Sequence, residues 1–258
     1  MNLRSFRFDS KYKILYAGDD DINLAAIYLG AILYNLEYSF DYIPSYEKFN
    51  FNSLEELNYD LIILSDYPAL NFSESQLNLL KEFVLSGKNL LMIGGWESFT
   101  GLNIEYKNTD IESVLPVTLK DSDDRVNAGQ GILVNLINDN FFRNLDWSMP
   151  PIIVGFNQFY PKEDAVTVLE GSKIYIINNV LELKEEYPLL VFSDVYGGRS
   201  TALAFDLAPH WIGCMVDWGD KRRRIDFIDG TFIEIGNYYF EFVKELINIA
   251  IKGVSNEG

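Results

Sequence analysis

The chain has little cysteine and little histidine: one residue of each among 258. The single cysteine, Cys214, cannot form an internal disulfide, which favours a reducing compartment. The single histidine, His210, excludes metal motifs built on two histidines, and cysteine-rich zinc sites are excluded as well. Glycine-rich phosphate-binding patterns are also absent from the sequence. We therefore expect no metal site, no nucleotide and no other cofactor.

Basic residues are scarce too, with 21 Lys and Arg against 38 Asp and Glu and a net charge of -17. Such a charge repels phosphate backbones and anionic lipid surfaces, so neither a nucleic acid nor a membrane is an expected partner. No apolar run approaches the roughly 18 residues of a membrane span. Residues 1–10 lack the apolar core of a signal peptide. We expect a cytoplasmic protein.

The only concentrated positive charge is the run of four basic residues at 221–224. Acidic residues at 217, 220, 226 and 229 bracket it. The run is either a solvated loop that pairs with these acids or a docking patch for phosphate or carboxylate groups.

The first hundred residues alternate between strand and helix patterns. Apolar runs predict strands over residues 11–18, 38–43, 59–66 and 89–93, and helices are predicted over 24–36, 54–57 and about 74–85. The acidic residues 19–21 are expected to cap the first helix, Ser73 and Gln76 form a capping box, and Gly87 ends the third helix. This order predicts an α/β fold with a doubly wound parallel sheet.

The second half is richer in short strands, predicted over residues 117–119, 132–134, 152–154, 166–169 and 174–177. A hairpin of 189–192 and 201–205 follows around Gly197 and Gly198, and a closing helix over 238–251 ends at Gly253. We interpret residues 1–258 as one domain with added β elements. The aromatic residues 238–240, expected to be exposed, could serve a subunit contact, so a homo-oligomer is expected.

Three strand ends carry the candidate chemistry, because ligands of parallel sheets bind outside the carboxyl ends of the strands. Asp19 follows the first strand, Asp66 the third, and Gly94, Gly95 and Trp96 the fourth. His210 is a separate signal, just beyond a later strand. The two glycines allow positive φ and hence a tight turn that could present a nucleophile, or they only let the chain reverse. Likewise, His210 is either an ordinary loop residue or a functional one.

These residues, taken together, resemble a known family. The segments are Gly94-Gly95-Trp96-Glu97-Ser98-Phe99, Asp123-Asp124-Arg125, Gly155-Phe156-Asn157 and Ala208-Pro209-His210-Trp211. Over roughly residues 11–252 the chain resembles the family of putative glutamine amidotransferases, which is related to the ThuA-like proteins. The resemblance implies a flavodoxin-like fold of the class I glutamine amidotransferase-like type.

The resemblance also implies where an active member would keep its catalytic groups. Trp96 occupies the place of the nucleophilic cysteine, and Ser98 that of the last glycine of the elbow. His210 follows a late strand as the catalytic histidine would, but Ile212 stands where the glutamate is expected. Because an indole cannot supply the thiolate that the chemistry needs, glutaminase activity by the usual mechanism is not expected.

Three functions remain open at this stage. The first is a member without glutaminase activity that binds a small polar, carbohydrate-like ligand or serves as an assembly module. Its candidate binding residues are Gly94, Gly95, Trp96, Glu97, Asp124, Arg125, Asn157 and Trp211, with Asp66, Ser98 and His210 in the same pocket. The second is a hydrolase with Ser98 or a carboxylate as the nucleophilic group, His210 as base and Asp66 or Asp206 as orienter. The third is glutaminase chemistry through Cys214, which more often would be a small buried residue.

Overall fold

The computed structural model describes residues 3–103, 105–195 and 197–252. Its strands are β1 (Arg4–Phe6), β2 (Lys13–Gly18), β3 (Ser39–Ile43), β4 (Leu61–Ser65), β5 (Asn89–Ile93), β6 (Val117–Leu119), β7 (Arg125–Leu136), β8 (Ile152–Asn157), β9 (Phe159–Pro161), β10 (Val166–Ile177), β11 (Val180–Val195), β12 (Gly198–Leu203), β13 (Arg222–Asp226) and β14 (Phe232–Gly236). Its α-helices are α1 (Ile27–Asn35), α2 (Glu74–Leu85), α3 (Asp110–Val114), α4 (Pro209–Ile212) and α5 (Asn237–Ala250).

Five parallel strands form the centre of a ten-stranded sheet, in the order β3-β2-β4-β5-β12. Every residue of β3, β4 and β5 is buried, which explains their continuous apolar runs. The chain moves from β2 to one side and then from β4 to the other, so right-handed crossovers put α1 and α2 on opposite faces. This is the strand order of a flavodoxin-like sheet, and it confirms the predicted fold class.

The β elements of the second half extend the same sheet. Strands β11, β10, β7 and β8 continue from β12 in antiparallel pairs, and β1 pairs antiparallel with β3 at the opposite edge. Two small sheets, β6-β9 and β13-β14, lie apart from it. The predicted short strands at 166–169 and 174–177 are one strand, β10. Among the described residues, no helix is long and apolar enough to cross a membrane.

Helix α2 begins and ends as its sequence predicts. The Ser73 hydroxyl accepts a hydrogen bond from the Gln76 amide at 3.3 Å, and the Gln76 side chain accepts one from the Ser73 amide at 2.9 Å. Gly87 follows the helix with a φ of 93°, the left-handed conformation that suits glycine. The capping box and the glycine stop are therefore confirmed.

Helix α1 differs from its prediction. It begins at Ile27 with Ala26 at its N-cap and no side-chain cap, so residues 19–21 do not cap it. The predicted helix at 54–57 is only a turn, and β1 was not predicted at all. Gly253, the predicted end of the last helix, lies outside the described residues.

The aromatic residues at the start of α5 are not available for a subunit contact. Tyr239 and Phe240 are 0% and 2% exposed, because both pack into the hydrophobic core. The Tyr239 hydroxyl donates a hydrogen bond to the Leu207 carbonyl at 2.5 Å. The expectation of an exposed aromatic patch at 238–240 is wrong, because these side chains belong to the core.

Three of the four basic residues of the run at 221–224 lie in strand β13, with Lys221 just before it, and these three pair with nearby acids. Arg222 forms an ion pair with Asp217, and Arg224 forms one with Asp226 at 2.7 Å. Arg223 lies over the ring of Phe240 at 3.5 Å. Most of the positive charge of the run is therefore paired with groups in or near the hairpin formed by β13 and β14.

Candidate functional site

The carboxyl ends of four neighbouring parallel strands converge on one edge of the sheet. Strand β2 ends at Gly18 before Asp19, β4 ends before Asp66, β5 ends before Gly94, and Asp206 lies three residues beyond β12. The crevice between β2 and β4 is the topological switch point of the sheet, where the chain direction changes from one side to the other. The site is therefore where this fold keeps its ligands.

Two of these strands end in an aspartate with left-handed backbone. Asp19 has a φ of 51° and Asp66 a φ of 47°, a conformation that aspartate tolerates better than most residues. The Asp19 amide donates to the Ser65 carbonyl at 2.8 Å, which holds the two strand ends together. A Cβ atom at Gly18 would lie 1.6 Å from that same carbonyl oxygen, so only glycine fits there.

Gly94 and Gly95 are needed for close approach rather than for positive φ. Neither is among the residues with positive φ. A Cβ atom at Gly94 would lie 2.3 Å from the Ala204 carbonyl oxygen, and one at Gly95 would lie 2.5 Å from Cγ of Asp66. The predicted positive φ is therefore wrong, and the glycines instead let neighbouring backbone and the Asp66 side chain pack against the turn.

Two buried side chains, Asn157 and Asp124, form hydrogen bonds that hold the Gly94–Gly95 turn in place. The Asn157 side chain accepts a hydrogen bond from the Gly95 amide at 2.9 Å and donates to the Gly95 carbonyl at 3.1 Å. It also donates to Asp124 at 2.8 Å, and Asp124 accepts from the amides of Thr100 and Gly101 at 2.8 and 3.0 Å. Asn157 and Asp124 are both 0% exposed. They position the loop and do not face the solvent.

Ser98 is also part of this support. It is 1% exposed, and its hydroxyl donates to the Ile93 carbonyl at 2.6 Å while accepting from the Asp66 amide at 3.1 Å. The half-buried Glu97 contributes its amide, which donates to Oδ1 of Asp66 at 2.5 Å. The hydroxyl proton of Ser98 is thus directed to a backbone carbonyl and not to an imidazole.

Above this support lies an open cleft of about 300 Å³. We call it the Trp96–Trp211 cleft; it is lined by Asp20, Asp66, Gly95, Trp96, Asp206, His210 and Trp211. Five of these residues were predicted from the sequence as ligand or catalytic residues. Asp206 was predicted only as an alternative orienter, and Asp20 only as part of a helix start.

The two indoles of the cleft are held differently. Trp96 is 59% exposed, and the Arg125 guanidinium lies 4.8 Å from its ring centroid. Arg125 in turn pairs with both carboxylate oxygens of Asp123 at 2.9 Å. Trp211 is 5% exposed and packs on Gly155, where a Cβ atom would lie 2.7 Å from the indole. Trp96 is thus largely exposed to solvent, whereas Trp211 is packed against the protein.

His210 and Asp206 form a hydrogen-bonded pair at the cleft. Oδ2 of Asp206 lies 3.0 Å from Nδ1 of His210, and Oδ1 accepts from the Ala208 amide at 2.7 Å. Asp206 is 4% exposed, whereas the His210 side chain is 63% exposed. The hydrogen bond from Asp206 raises the pKa of His210 above 6.5. Nε2 is the nitrogen left to meet a ligand.

Carboxyl groups crowd the floor of the cleft. Burial raises the pKa of Asp66 to about 7; the Glu97 amide opposes this shift, and the charge of Asp206 adds to it. Burial and Asp206 also raise the pKa of Asp19 well above its usual value, and the Tyr16 hydroxyl donates a hydrogen bond to Asp19. Asp66 therefore releases its proton near neutral pH rather than near pH 4.

The other chemical candidates lie elsewhere. Cys214 is exposed, contrary to the expectation of a buried thiol. In the short helix at 213–217 it is the next residues, Met215 and Val216, that are buried, and the Cys214 sulfur lies 3.7 Å from the Ile152 carbonyl oxygen. Cys214 is not among the residues that line the Trp96–Trp211 cleft. In the described part of the chain, no group of three or more His, Cys, Asp or Glu residues is arranged to hold a metal ion.

Sequence comparison agrees with the fold. Residues 17–226 match the GATase1-like family, described as putative glutamine amidotransferase. The chain is 30% identical to the cytoplasmic protein STM3548 from Salmonella typhimurium, covering 77% of this chain and 89% of that one, with a TM-score of 0.65. It is 25% identical to the cytoplasmic protein STM1381 from Salmonella typhimurium LT2, covering 93% and 100%, with a TM-score of 0.73.

A more distant likeness concerns the fold alone. A catalytic mutant of Gan42B, a GH42 β-galactosidase from G. stearothermophilus, is 11% identical, with 93% of this chain and 30% of that one covered and a TM-score of 0.52. Among curated proteins, none matches this chain. Because the family match spans most of the chain and the sheet has the expected order, the protein belongs to the GATase1-like family of putative glutamine amidotransferases.

Proposed function

We propose that this protein binds a small polyhydroxy, carbohydrate-like ligand in the Trp96–Trp211 cleft and is not a glutaminase of the usual cysteine type. One observation carries the proposal: a cleft of about 300 Å³ combines two indoles with three carboxyl groups and one imidazole. Such pockets bind through apolar faces and take their orientation from a few polar groups. The single domain proposed for residues 1–258 would carry this site.

The lining chemistry favours hydroxyl-rich ligands. Indole faces pack against the C–H faces of a sugar ring, and carboxylates accept hydrogen bonds from its hydroxyl groups. The lining residues Asp20, Asp66 and Asp206 provide acceptors, whereas His210 is the only basic group among them. Even with Asp66 partly protonated near pH 7, the acidic groups of the lining outnumber its one imidazole, so we expect a neutral or cationic ligand rather than an anionic one.

The proposal against glutaminase chemistry rests on the missing thiol. Trp96 takes the nucleophile position at the strand end, and the only thiol, that of Cys214, lies outside the lining of the cleft. A thiolate must reach the amide carbon for this reaction. Ammonia release from L-glutamine is therefore expected to be at background level. Release that the Cys214→Ser substitution abolishes would refute this part of the proposal.

Ligand binding can be tested by saturation-transfer NMR with glucose, galactose, N-acetylglucosamine, glucosamine and myo-inositol as probes. We expect at least one of them to bind, and we expect Trp96→Ala to weaken that binding at least tenfold. Tyr160→Ala is the matched control, because Tyr160 is a similarly exposed aromatic residue, at 53%, that does not line the cleft. Binding of none of the probes, or equal binding by both variants, would contradict the proposal.

A second candidate function, hydrolysis, is favoured by the 3.0 Å contact between Asp206 and Nδ1 of His210. With Nδ1 held by a carboxylate, Nε2 can take a proton from water as the resulting hydroxide attacks a substrate. Asp66, with a pKa of about 7, can return a proton to the leaving group. Ser98 is not needed in this scheme, because its hydroxyl donates to Ile93.

Hydrolysis of p-nitrophenyl acetate and p-nitrophenyl glycosides tests this candidate. We expect any activity to be lost in His210→Asn and kept in a folded Ser98→Ala variant. Loss in Ser98→Ala, with an unchanged circular dichroism spectrum, would instead favour the serine as nucleophile. We also propose a cytoplasmic location, because both Salmonella proteins are named cytoplasmic.

A further inference from the structure

Strands β10 and β11 continue past their neighbours as a two-stranded arm. Strand β7 pairs with β10 only as far as Lys173, and β12 pairs with β11 only from Leu190 onward. The arm, residues 174–187, is closed by Asn178 and Asn179, whose φ values are 52° and 64°. Two consecutive residues with positive φ are typical of a type I′ hairpin turn.

One face of the arm is apolar and open to solvent. Ile174 lies opposite Leu183, and Ile176 lies opposite Leu181, so these four side chains share a face. Ile176, Leu181 and Leu183 are 59%, 62% and 45% exposed. A two-stranded ribbon with exposed apolar residues is only marginally stable in water. Pairing with another strand would therefore stabilise the arm.

The outer edge of β11 offers hydrogen bonds as well. Among the described strands, only β10 pairs with β11 over residues 180–187. A two-residue turn is closed by a hydrogen-bonded pair, here Ile177 and Val180, and the bonding alternates along the ribbon. The amide and carbonyl groups of Leu181 and Leu183 therefore point outward, away from β10.

Leu183 lies between an acidic residue, Glu182, and a basic residue, Lys184, so the edge of β11 is complementary in charge to an antiparallel copy of itself. We propose that a second copy of this chain pairs antiparallel with β11 about a two-fold axis at Leu183. That register sets Glu182 of one copy opposite Lys184 of the other, twice. An axis at Glu182 or at Lys184 would oppose like charges and would use backbone groups already bonded to β10. An axis at Leu181 would leave Glu182 facing Val180.

The pairing joins the two arms into one four-stranded sheet. Leu183 packs against Leu183 of the second copy, next to the outward backbone bonds. Within one chain, Glu182 and Lys184 already form an ion pair at 2.5 Å, so both side chains point to the same face. Glu185 is a bulge with a φ of 57°, at the register shift between Ser172 and Lys173, so the regular edge ends at Lys184. Further on, Pro188 has no amide hydrogen to donate.

A charge-swap series tests the register, with the dissociation constant measured by sedimentation equilibrium at about 150 mM salt. We expect a dimer in the wild type, a dissociation constant at least tenfold higher for Glu182→Lys and for Lys184→Glu, and recovery in the double swap. Circular dichroism should be unchanged throughout, because both side chains are on the surface. A wild type that stays monomeric at about 100 μM, or a dimer indifferent to both single changes, would overturn the proposal.

Cross-linking gives an independent geometric test in a Cys214→Ser background. In the proposed register, Leu183→Cys brings two thiols opposite each other, within the Cα separation of roughly 4.4–6.8 Å that a disulfide needs. Leu181→Cys is the matched control, since its two copies would lie four residues apart, about 13 Å. We expect a covalent dimer from the first variant only. Equal cross-linking of both variants, or of neither, would refute the axis at Leu183.

Discussion

Replacing Asp66 with asparagine is expected to remove a pH-dependent loss of stability. Burial raises the pKa of Asp66 from 3.8 to about 7. Between these values the unfolded chain has released a proton that the native carboxyl still holds, so the free energy of unfolding falls as pH rises. Burial of the Asp66 carboxyl leaves the free energy of unfolding unchanged below about pH 4. The decrease in that free energy is complete above about pH 7.

The size of this effect follows from the two pKa values. Their difference, 7 − 3.8, is about 3, and at roughly 1.36 kcal/mol for each pH unit it corresponds to about 4 kcal/mol. This is an upper limit, because Asp66 is only partly shielded from solvent. Asparagine is a suitable replacement: its carbonyl oxygen can still accept the Glu97 amide, and it tolerates the φ of 47°.

Urea denaturation of both proteins from pH 4 to pH 8 measures the effect. We expect Asp66→Asn to match the wild type near pH 4 and to gain up to about 4 kcal/mol over it by pH 8. Asp229→Asn is the control, since Asp229 is exposed and also has a left-handed φ, 55°. A stability difference that stays constant with pH, or that shrinks as pH rises, would refute the assignment of a buried, protonated Asp66.

Three further substitutions test the support beneath the cleft. Asn157→Ala should lower the free energy of unfolding by about 2–4 kcal/mol in urea, because the buried Gly95 amide and carbonyl lose their side-chain partner and Asp124 loses one of its three donors. Gly95→Ala should cost about 1–3 kcal/mol by thermal denaturation, since the new methyl group would lie 2.5 Å from Cγ of Asp66. Ser98→Ala should cost about 1–3 kcal/mol in urea, because the Ile93 carbonyl loses its buried donor.

Matched controls separate these effects from the chemistry of each substitution. Gly129→Ala adds a methyl group where no atom lies within 4 Å, and Asn140→Ala removes an exposed amide. Both should stay within about 0.5 kcal/mol of the wild type. If Gly95→Ala or Asn157→Ala proved equally harmless, the close packing and the buried hydrogen bonds of the turn would be contradicted.

Much of the fold could be predicted because its signals are local. Continuous apolar strands, the capping box at Ser73 and the glycine stop at Gly87 each depend on a few neighbouring residues. The start of α1 was missed because three consecutive aspartates are good caps, whereas Asp19 is instead drawn into the buried site by Tyr16. Strand β1 was missed because its pairing with β3 is long-range.

The place of the cleft in the fold could be predicted from the sequence, but the part that each residue plays there could not. The rule that ligands bind at the carboxyl ends of parallel strands found Asp66, Trp96 and His210. It could not show that Asp124 and Asn157 face inward, since burial depends on which side of the turn the later strands pass. The same rule pointed to the strand end before Asp20, but Asp20 was assigned to a helix start, and Asp206 was expected only as an alternative orienter of His210.

The most direct test uses the only imidazole of the chain, that of His210. Its ring-proton NMR signal should titrate with a pKa above 6.5, because Asp206 holds Nδ1, and Asp206→Asn should lower that pKa. The same signal should move when a saccharide probe that binds the Trp96–Trp211 cleft is added. A pKa of 6.5 or below that Asp206→Asn leaves unchanged, with no response to any of the probes, would contradict both the pair and the site.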